Sequence, residues 1–281
     1  MIKKELLTRI LLLMIFLTLI SCEQNIKKRM NCICLIDFSG SLSEKTLNDY
    51  IHTISYDLLR NMDQYDRLIV LPIDEGAKIE AVKLINEDFT EKKFSFQSDG
   101  FTHAQDSIIK RINIYVQNEA PRISETLKRQ KELRKKFTTR TDIISALKQA
   151  KNLMEENNED SFLKQVGRFA SGKNKMVTEN IIVLFSDMIN ESYDCSFEHM
   201  EKFSGKDVAM LINKLEGNNK VPDLKNTKVF VCGRTGRNNA QIETIENFWR
   251  QFFNISGATL VAYDYDVGDE ITKYLIKKRE D

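Results

Sequence analysis

The chain has 281 residues, with 42 Lys and Arg against 41 Asp and Glu, so it is close to neutral at a formal +1. Such a balance gives no global field for nucleic acid, and its five cysteines show no zinc-type spacing. The length suits one large α/β domain, able to bury a sizeable core without disulfides.

The first 21 residues read as a leader outside the fold. Lys3, Lys4 and Arg9 make a positive start, and Ile10 to Ile20 is an apolar stretch too short to be a good membrane span. It ends in Leu19-Ile20-Ser21-Cys22, a small residue before a thiol, which looks like a bacterial lipoprotein processing site. The alternative is an ordinary signal peptide with a chance cysteine, but Cys22 sits directly after the apolar core and favours lipidation. The chain is then anchored rather than spanning, in the cell envelope and outside the cytoplasm. Removing the leader takes three of the 42 basic residues and one of the 41 acidic ones, which leaves a net charge near −1. Residues 22–30 are a short polar tether that reaches about 30 Å when extended. Its Lys27-Lys28-Arg29 either touches anionic headgroups or is simply solvated.

The domain begins at Asn31. Cys32 to Ile36 is a short apolar run of the kind that makes a buried strand. Asp37 closes it, and Ser39 and Ser41 follow with Gly40 between them. One carboxylate and two hydroxyls at a strand end are an all-oxygen set that suits a hard cation such as Mg²⁺. Taken alone, the stretch reads first as a plain turn.

Ser43 is a candidate N-cap for a helix running to about Asn61, with Leu47, Ile51, Ile54, Leu58 and Leu59 as its apolar stripe. Arg67 to Ile73 reads as a second strand, and Lys78 to Ile85 as a third, antiparallel at an edge. Asp74-Glu75-Gly76 is the turn between them. Residues 86–137 are longer than a connection needs and read as a helical insertion. Its helix starts at Thr102 and is broken or restarted by Pro121. The basic run Lys128 to Lys136 leads out of it, either as a solvated helix end or as a contact for an acidic partner or lipid.

Thr141-Asp142 precedes Ile143, Ile144, Leu147, Ala150, Leu153 and Met154, a helical spacing that places Thr141 at a helix start. The helix is expected to end near Met154 to Asn158. Ile181 to Phe185 is another buried-strand run, ending in Ser186-Asp187. Asn190 to Ser204 reads as irregular, Asp207 to Leu215 as a helix, and Val229 to Cys232 as a strand. Gly233-Arg234-Thr235-Gly236-Arg237 lacks the full phosphate-loop pattern and reads as a flexible loop. Ala240 to Asn254 is an amphipathic helix whose aromatic stripe packs on a sheet, Thr259 to Tyr263 the last strand, and Asp269 to Lys278 a terminal helix. Strands alternating with helices argue for a doubly wound, mostly parallel sheet with helices on both faces. Cys32, Cys34 and Cys232 sit on strands as small buried hydrophobes, while a disulfide to Cys195 stays open. His103, at the start of the insertion, reads as a solvated helix-start residue.

A strand-end Asp-x-Ser-x-Ser, a helix-start Thr and a second strand-end Asp, in that chain order, resemble the metal-ion-dependent adhesion site of von Willebrand factor type A domains. Thr141 to Leu147 also looks like that family, and the resemblance spans roughly residues 31–265 of the expected 31–281 domain. It implies a vWA/Rossmann-like fold in which Asp37, Ser39, Ser41, Thr141 and Asp187 hold one divalent cation, Mg²⁺ or else Mn²⁺ or Ca²⁺. It further implies no enzyme but a module that binds a partner protein through a carboxylate on the metal; the lipidation reading of Cys22 anchors that module to a membrane, and the length of the 86–137 insertion makes it the candidate rim that selects the partner. One position departs from the pattern: the family often has Gly after the last Asp, where this chain has Met188. Two other classes remain open. A Mg²⁺-dependent phosphatase using Asp37 as nucleophile is opposed by Ser39, which stands where haloacid-dehalogenase-like hydrolases carry an acid/base Asp. A solute-binding lipoprotein needs two lobes, and the chain reads as one continuous alternation.

Overall fold

The structure is a computed structural model that describes residues 27–63, 65–75, 82–89, 102–134, 140–169, 176–197, 199–234, 236 and 238–280. The expected leader, Cys22 and most of the tether lie outside the described residues, as do residues 76–81, 90–101 and 135–139. Two compact units are distinguished. One comprises residues 1–28 and 159–177, and the other Arg29–Asn158 with Thr178–Asp281. The second holds the site and is described below. Of the first, the described parts are the opening of one strand, the far end of one helix and the start of another strand.

Six strands form one sheet: β1 (Lys27–Asp37), β2 (Arg67–Ile73), β3 (Ile85–Asp88), β4 (Met176–Phe185), β5 (Thr227–Cys232) and β6 (Thr259–Asp264). Their order is β3-β2-β1-β4-β5-β6. β1 and β2 pair parallel, as do β4 with β5 and β5 with β6, while β3 is an antiparallel edge. Among the described residues six α-helices accompany them: α1 (Glu44–His52, continued by a π-helical segment Thr53–Leu58), α2 (Thr102–Arg134), α3 (Ile143–Phe169), α4 (Gly205–Gly217), α5 (Asn239–Ile255) and α6 (Gly268–Glu280).

Strand alternation sends successive side chains to opposite faces, and both faces are apolar. Cys32, Cys34 and Ile36 pack with α1, α2 and α6, while Ile33 and Leu35 pack with the first turns of α3 and with α4 and α5. Residues 32–36 are all fully buried, each large side chain contributing about 2 kcal/mol. A strand covered on both faces needs no polar alternation, which is why the run reads as continuous. The fold is the expected doubly wound, mostly parallel sheet with helices on both faces.

The chain winds outward from β1 to β2 and β3, then returns to the centre at β4 and winds the other way through β5 and β6. β1 and β4 are therefore the neighbours at which the winding reverses. In such sheets a crevice opens there, beyond the carboxyl ends of the strands, and ligands bind in it. Those ends carry Asp37 and Ser186-Asp187.

Four expectations are corrected. The edge strand is Ile85–Asp88, because its register is set by pairing with Arg67–Val70 rather than by its own pattern. α2 runs through Pro121 without ending. The ring faces solvent, where water can take the carbonyl it frees. Ala120, Ile123 and Leu127, all fully buried, hold the helix to the core. α3 continues past Asn158 to Phe169, since the stretch after Met154 contains no proline and its glutamates are good helix formers. Finally, Asp74 is more than a turn residue. It is fully buried and takes a two-pronged ion pair from Arg134 at the end of α2, with Nε at 2.5 Å and Nη2 at 3.0 Å. Cys32, Cys34, Cys195 and Cys232 are all buried free thiols, and burial pushes Cys195 and Cys232 up to about 12, which keeps them unreactive.

Candidate functional site

The loop after β1 starts from a carboxyl group with no exposure at all. Asp37 Oδ1 accepts the Ser39 N–H at 2.7 Å, which folds the chain back on itself, and Oδ2 accepts the Ser186 hydroxyl at 2.9 Å. Ser39 and Ser41 share a hydrogen bond between their hydroxyls at 2.8 Å, and Ser41 donates onward to Asp187 Oδ2 at 2.8 Å. Two strand ends 150 residues apart in sequence are thus tied by hydroxyl bridges: Ser186 reaches back to Asp37, and Ser41 reaches across to Asp187. Just outside, Ser43 caps α1 through the Thr46 N–H at 3.0 Å, which is worth about 1 kcal/mol and fixes where the loop ends.

Thr141 is also buried and lies immediately before α3. Asp142 caps that helix, with Oδ1 accepting the Ser145 N–H at 3.1 Å. The Thr141 carbonyl accepts the Glu191 N–H at 2.7 Å, which ties the helix start to the loop after Asp187. Asn190 strengthens the same join. It is fully buried, its Oδ1 accepts the Ile143 N–H at 2.9 Å, and its Nδ2 donates to the Cys195 carbonyl at 2.7 Å.

Both aspartates are electrostatically uncomfortable. Burial, then the neighbouring Asp187 charge, push the Asp37 carboxyl up to about 7 against the opposing help of Ser39 and Ser186. Burial raises Asp187 as well, although the Ile189 N–H and the Ser41 hydroxyl favour its ionised form. Asp74, the neighbouring buried carboxylate, has Arg134. No Lys, Arg or His among the described residues does the same for Asp37 or Asp187. Two buried acids with no counter-charge among the described residues, bridged by hydroxyls, fit a small hard dication. Among the described residues no group of three or more His, Cys, Asp or Glu gathers.

Met188 follows Asp187 with φ at +62°, the left-handed conformation that costs a side-chain-bearing residue about 1–2 kcal/mol. This is the position at which the sequence departs from the pattern it resembles. Its side chain is fully buried in the core below α5, its N–H donates to Ser186 Oγ at 3.1 Å, and its carbonyl accepts the indole N–H of Trp249 at 3.0 Å.

The sequence-predicted Asp37, Ser39, Ser41 and Asp187 are brought into one hydrogen-bonded chain, and Thr141 is held against the Asp187 loop. Ser186, Asn190 and Trp249 were missed as contributors. Only Ser186, adjacent to Asp187 at a strand end, carried a local signal. Of the Gly233–Arg237 loop, Thr235 and Arg237 lie outside the described residues, and Arg234 is paired with Glu246 at 2.8 Å. His103 lies in the first turn of α2, with its side chain outside the description.

No family model and no curated protein matches the chain. Among solved structures it is similar to the crystal structure of the TFIIH p34 N-terminal domain, at 13% identity and a TM-score of 0.34 over 90% of this chain and 98% of that one. At that distance the likeness carries no argument about function.

Proposed function

We propose that this protein binds one divalent cation, Mg²⁺ first among the hard ions, through Asp37, Ser39, Ser41, Thr141 and Asp187, and uses it to hold a partner protein. The observation that carries the reading is the pair of buried carboxyl groups at the reversal point of the sheet, with no counter-charge on either among the described residues. When bound, the cation would supply charge neutralisation and an open coordination position for an oxygen ligand such as a partner's Asp or Glu. The chain's own part is to hold five oxygens ready. Ser39 and Ser41 orient one another, Ser186 and the Ser39 N–H fix Asp37, and the Asn190 network holds Thr141 beside the Asp187 loop. With only two charged ligands, the site leaves a dication unsaturated toward acids. The von Willebrand factor type A resemblance supports the same assignment.

The partner reading extends to the rim and to the anchor. Asn86 to Phe137 remains the candidate for partner choice, and its α2 buries Ile112, Val116, Ala120, Ile123 and Leu127, so cutting it out would take part of the core with it. Lipidation of Cys22 would keep the domain at a bacterial envelope membrane. No helix among the described residues is long and apolar enough to cross one. A phosphatase reading still meets Ser39 where an acid/base Asp would be needed.

The test is capture of partners on the purified protein in Mg²⁺ and in chelator, beside Asp187→Asn. Capture is expected in Mg²⁺ alone and only by the unsubstituted protein. Capture that survives both chelator and the substitution refutes adhesion through the metal.

A further inference from the structure

We propose that Trp249 is a positioning residue for this cation site, its indole N–H locking the Met188–Ile189 peptide so that Asp187 is held in its ligating pose. The inference rests on the proposed cation site and assigns it a control element on the far side of the core.

The argument lies in one peptide plane. A trans peptide points its carbonyl and its N–H in opposite directions. In the plane joining Met188 to Ile189, the carbonyl accepts Trp249 Nε1–H at 3.0 Å and the N–H donates to Asp187 Oδ1 at 2.9 Å. Fixing the first fixes the second. The preceding plane is held as well, because the Met188 N–H donates to Ser186 Oγ, which donates to Asp37 Oδ2. Trp249 therefore stands at the end of a chain of contacts that reaches both acids.

Such a lock is needed here because Met188 is left-handed at φ +62°, a conformation glycine adopts freely and methionine does not. Without a partner for the carbonyl, the strain at Met188 favours rotation about its N–Cα bond toward negative φ, which would carry the Met188–Ile189 peptide and its N–H away from Asp187. Trp249 is itself immobilised. It is fully buried on α5, with Phe197, Phe248, Phe252 and Phe253 around it at ring-centroid distances of 5.2–5.8 Å. Phe197 belongs to the loop after β4, so the indole grips that loop by packing and by hydrogen bonding at once.

Trp249 is the only tryptophan in the chain, so its indole N–H gives a single, self-assigned resonance. The experiment follows that resonance and calorimetric Mg²⁺ binding in the full chain, in Trp249→Phe, and in Trp249→Phe combined with Met188→Gly. Mg²⁺ should shift the indole resonance with the affinity found by calorimetry. Trp249→Phe keeps the ring and loses the donor, and it should weaken Mg²⁺ binding about five- to tenfold, the effect of one hydrogen bond. Adding Met188→Gly should return the affinity to within about twofold of the original, a rescue that a merely structural role for the indole does not give. Unchanged Mg²⁺ binding in Trp249→Phe, or failure of glycine to rescue it, overturns the inference and leaves the cation site standing. An indole resonance unmoved at saturating Mg²⁺ also overturns it, and decides the matter by itself if Trp249→Phe does not fold. A full chain that takes up no Mg²⁺ by calorimetry overturns the cation site and this inference together.

Discussion

Asp37→Asn is the most informative single change, because its effect reverses with pH and with metal. The folded state holds the Asp37 carboxyl up at about 7, against an ordinary value of 3.8. Each tenfold change in proton affinity corresponds to about 1.4 kcal/mol, so at neutral pH and above the metal-free fold carries a penalty on the order of 4 kcal/mol for this charge. Below about pH 4 the acid is protonated in both folded and unfolded chains, and no penalty exists. Between about pH 4 and 7 the unfolded chain ionises while the folded one keeps its proton, so stability falls as pH rises; above 7 the loss is complete. Asparagine still accepts the Ser39 N–H and has no charge to bury. In chelator the variant should therefore match the original near pH 4 and exceed it by a few kcal/mol at pH 7.5, measured by urea unfolding. Mg²⁺ should reverse the order at pH 7.5, since a ligand that binds only the folded state stabilises it by mass action and the variant lacks a charged ligand. A stability difference between the two proteins that does not change from pH 4 to 7.5 in chelator refutes the electrostatic account of the site.

Thr141→Ala should weaken Mg²⁺ binding in calorimetry while leaving the metal-free unfolding midpoint nearly unchanged, because the bond to Glu191 uses the main-chain carbonyl; unaltered affinity removes Thr141 from the ligand set. Arg134→Ala strands the buried Asp74 carboxylate and should cost about 3–5 kcal/mol of unfolding free energy, whereas a loss under about 1 kcal/mol would mean that the pair is not buried in solution. Cys22→Ala should accumulate as an unprocessed precursor without incorporated lipid, and normal lipid labelling of that variant refutes the anchor.

The fold was legible wherever a segment's burial follows from its own residues. β2 was read with its observed bounds, and β5, β6, α4, α5 and α6 to within a few residues, because each is an apolar run or stripe closed by polar or glycine-containing turns. The readings failed where a distant partner decides. The bounds of β3 depend on Val70 and its neighbours, and Pro121 is tolerated because the residues on either side of it are anchored to strands far away in sequence. The site divides in the same way. Asp37, Ser39 and Ser41 lie in one short stretch whose donors are visible together. Asn190 and Trp249 act on residues 47 and 61 positions away, and nothing near them in sequence marks them as part of the site.

Met188 shows how a departure from a local pattern is accommodated. The pattern's preference for glycine after the second strand-end aspartate is a preference about backbone conformation, and the backbone there is left-handed as glycine would make it. The side chain adds about 1–2 kcal/mol of strain, but it is fully buried in the core, and burying a methionine returns about 1.5–3 kcal/mol. The indole hydrogen bond adds about 1 kcal/mol more. The turn thus keeps its shape on the strength of contacts supplied by α5 rather than by its own conformational freedom. A glycine there would hold the turn alone. With methionine, the orientation of Asp187 depends on the packing of a helix from another part of the chain, so mutations in the aromatic face of α5 should be felt at the carboxylates.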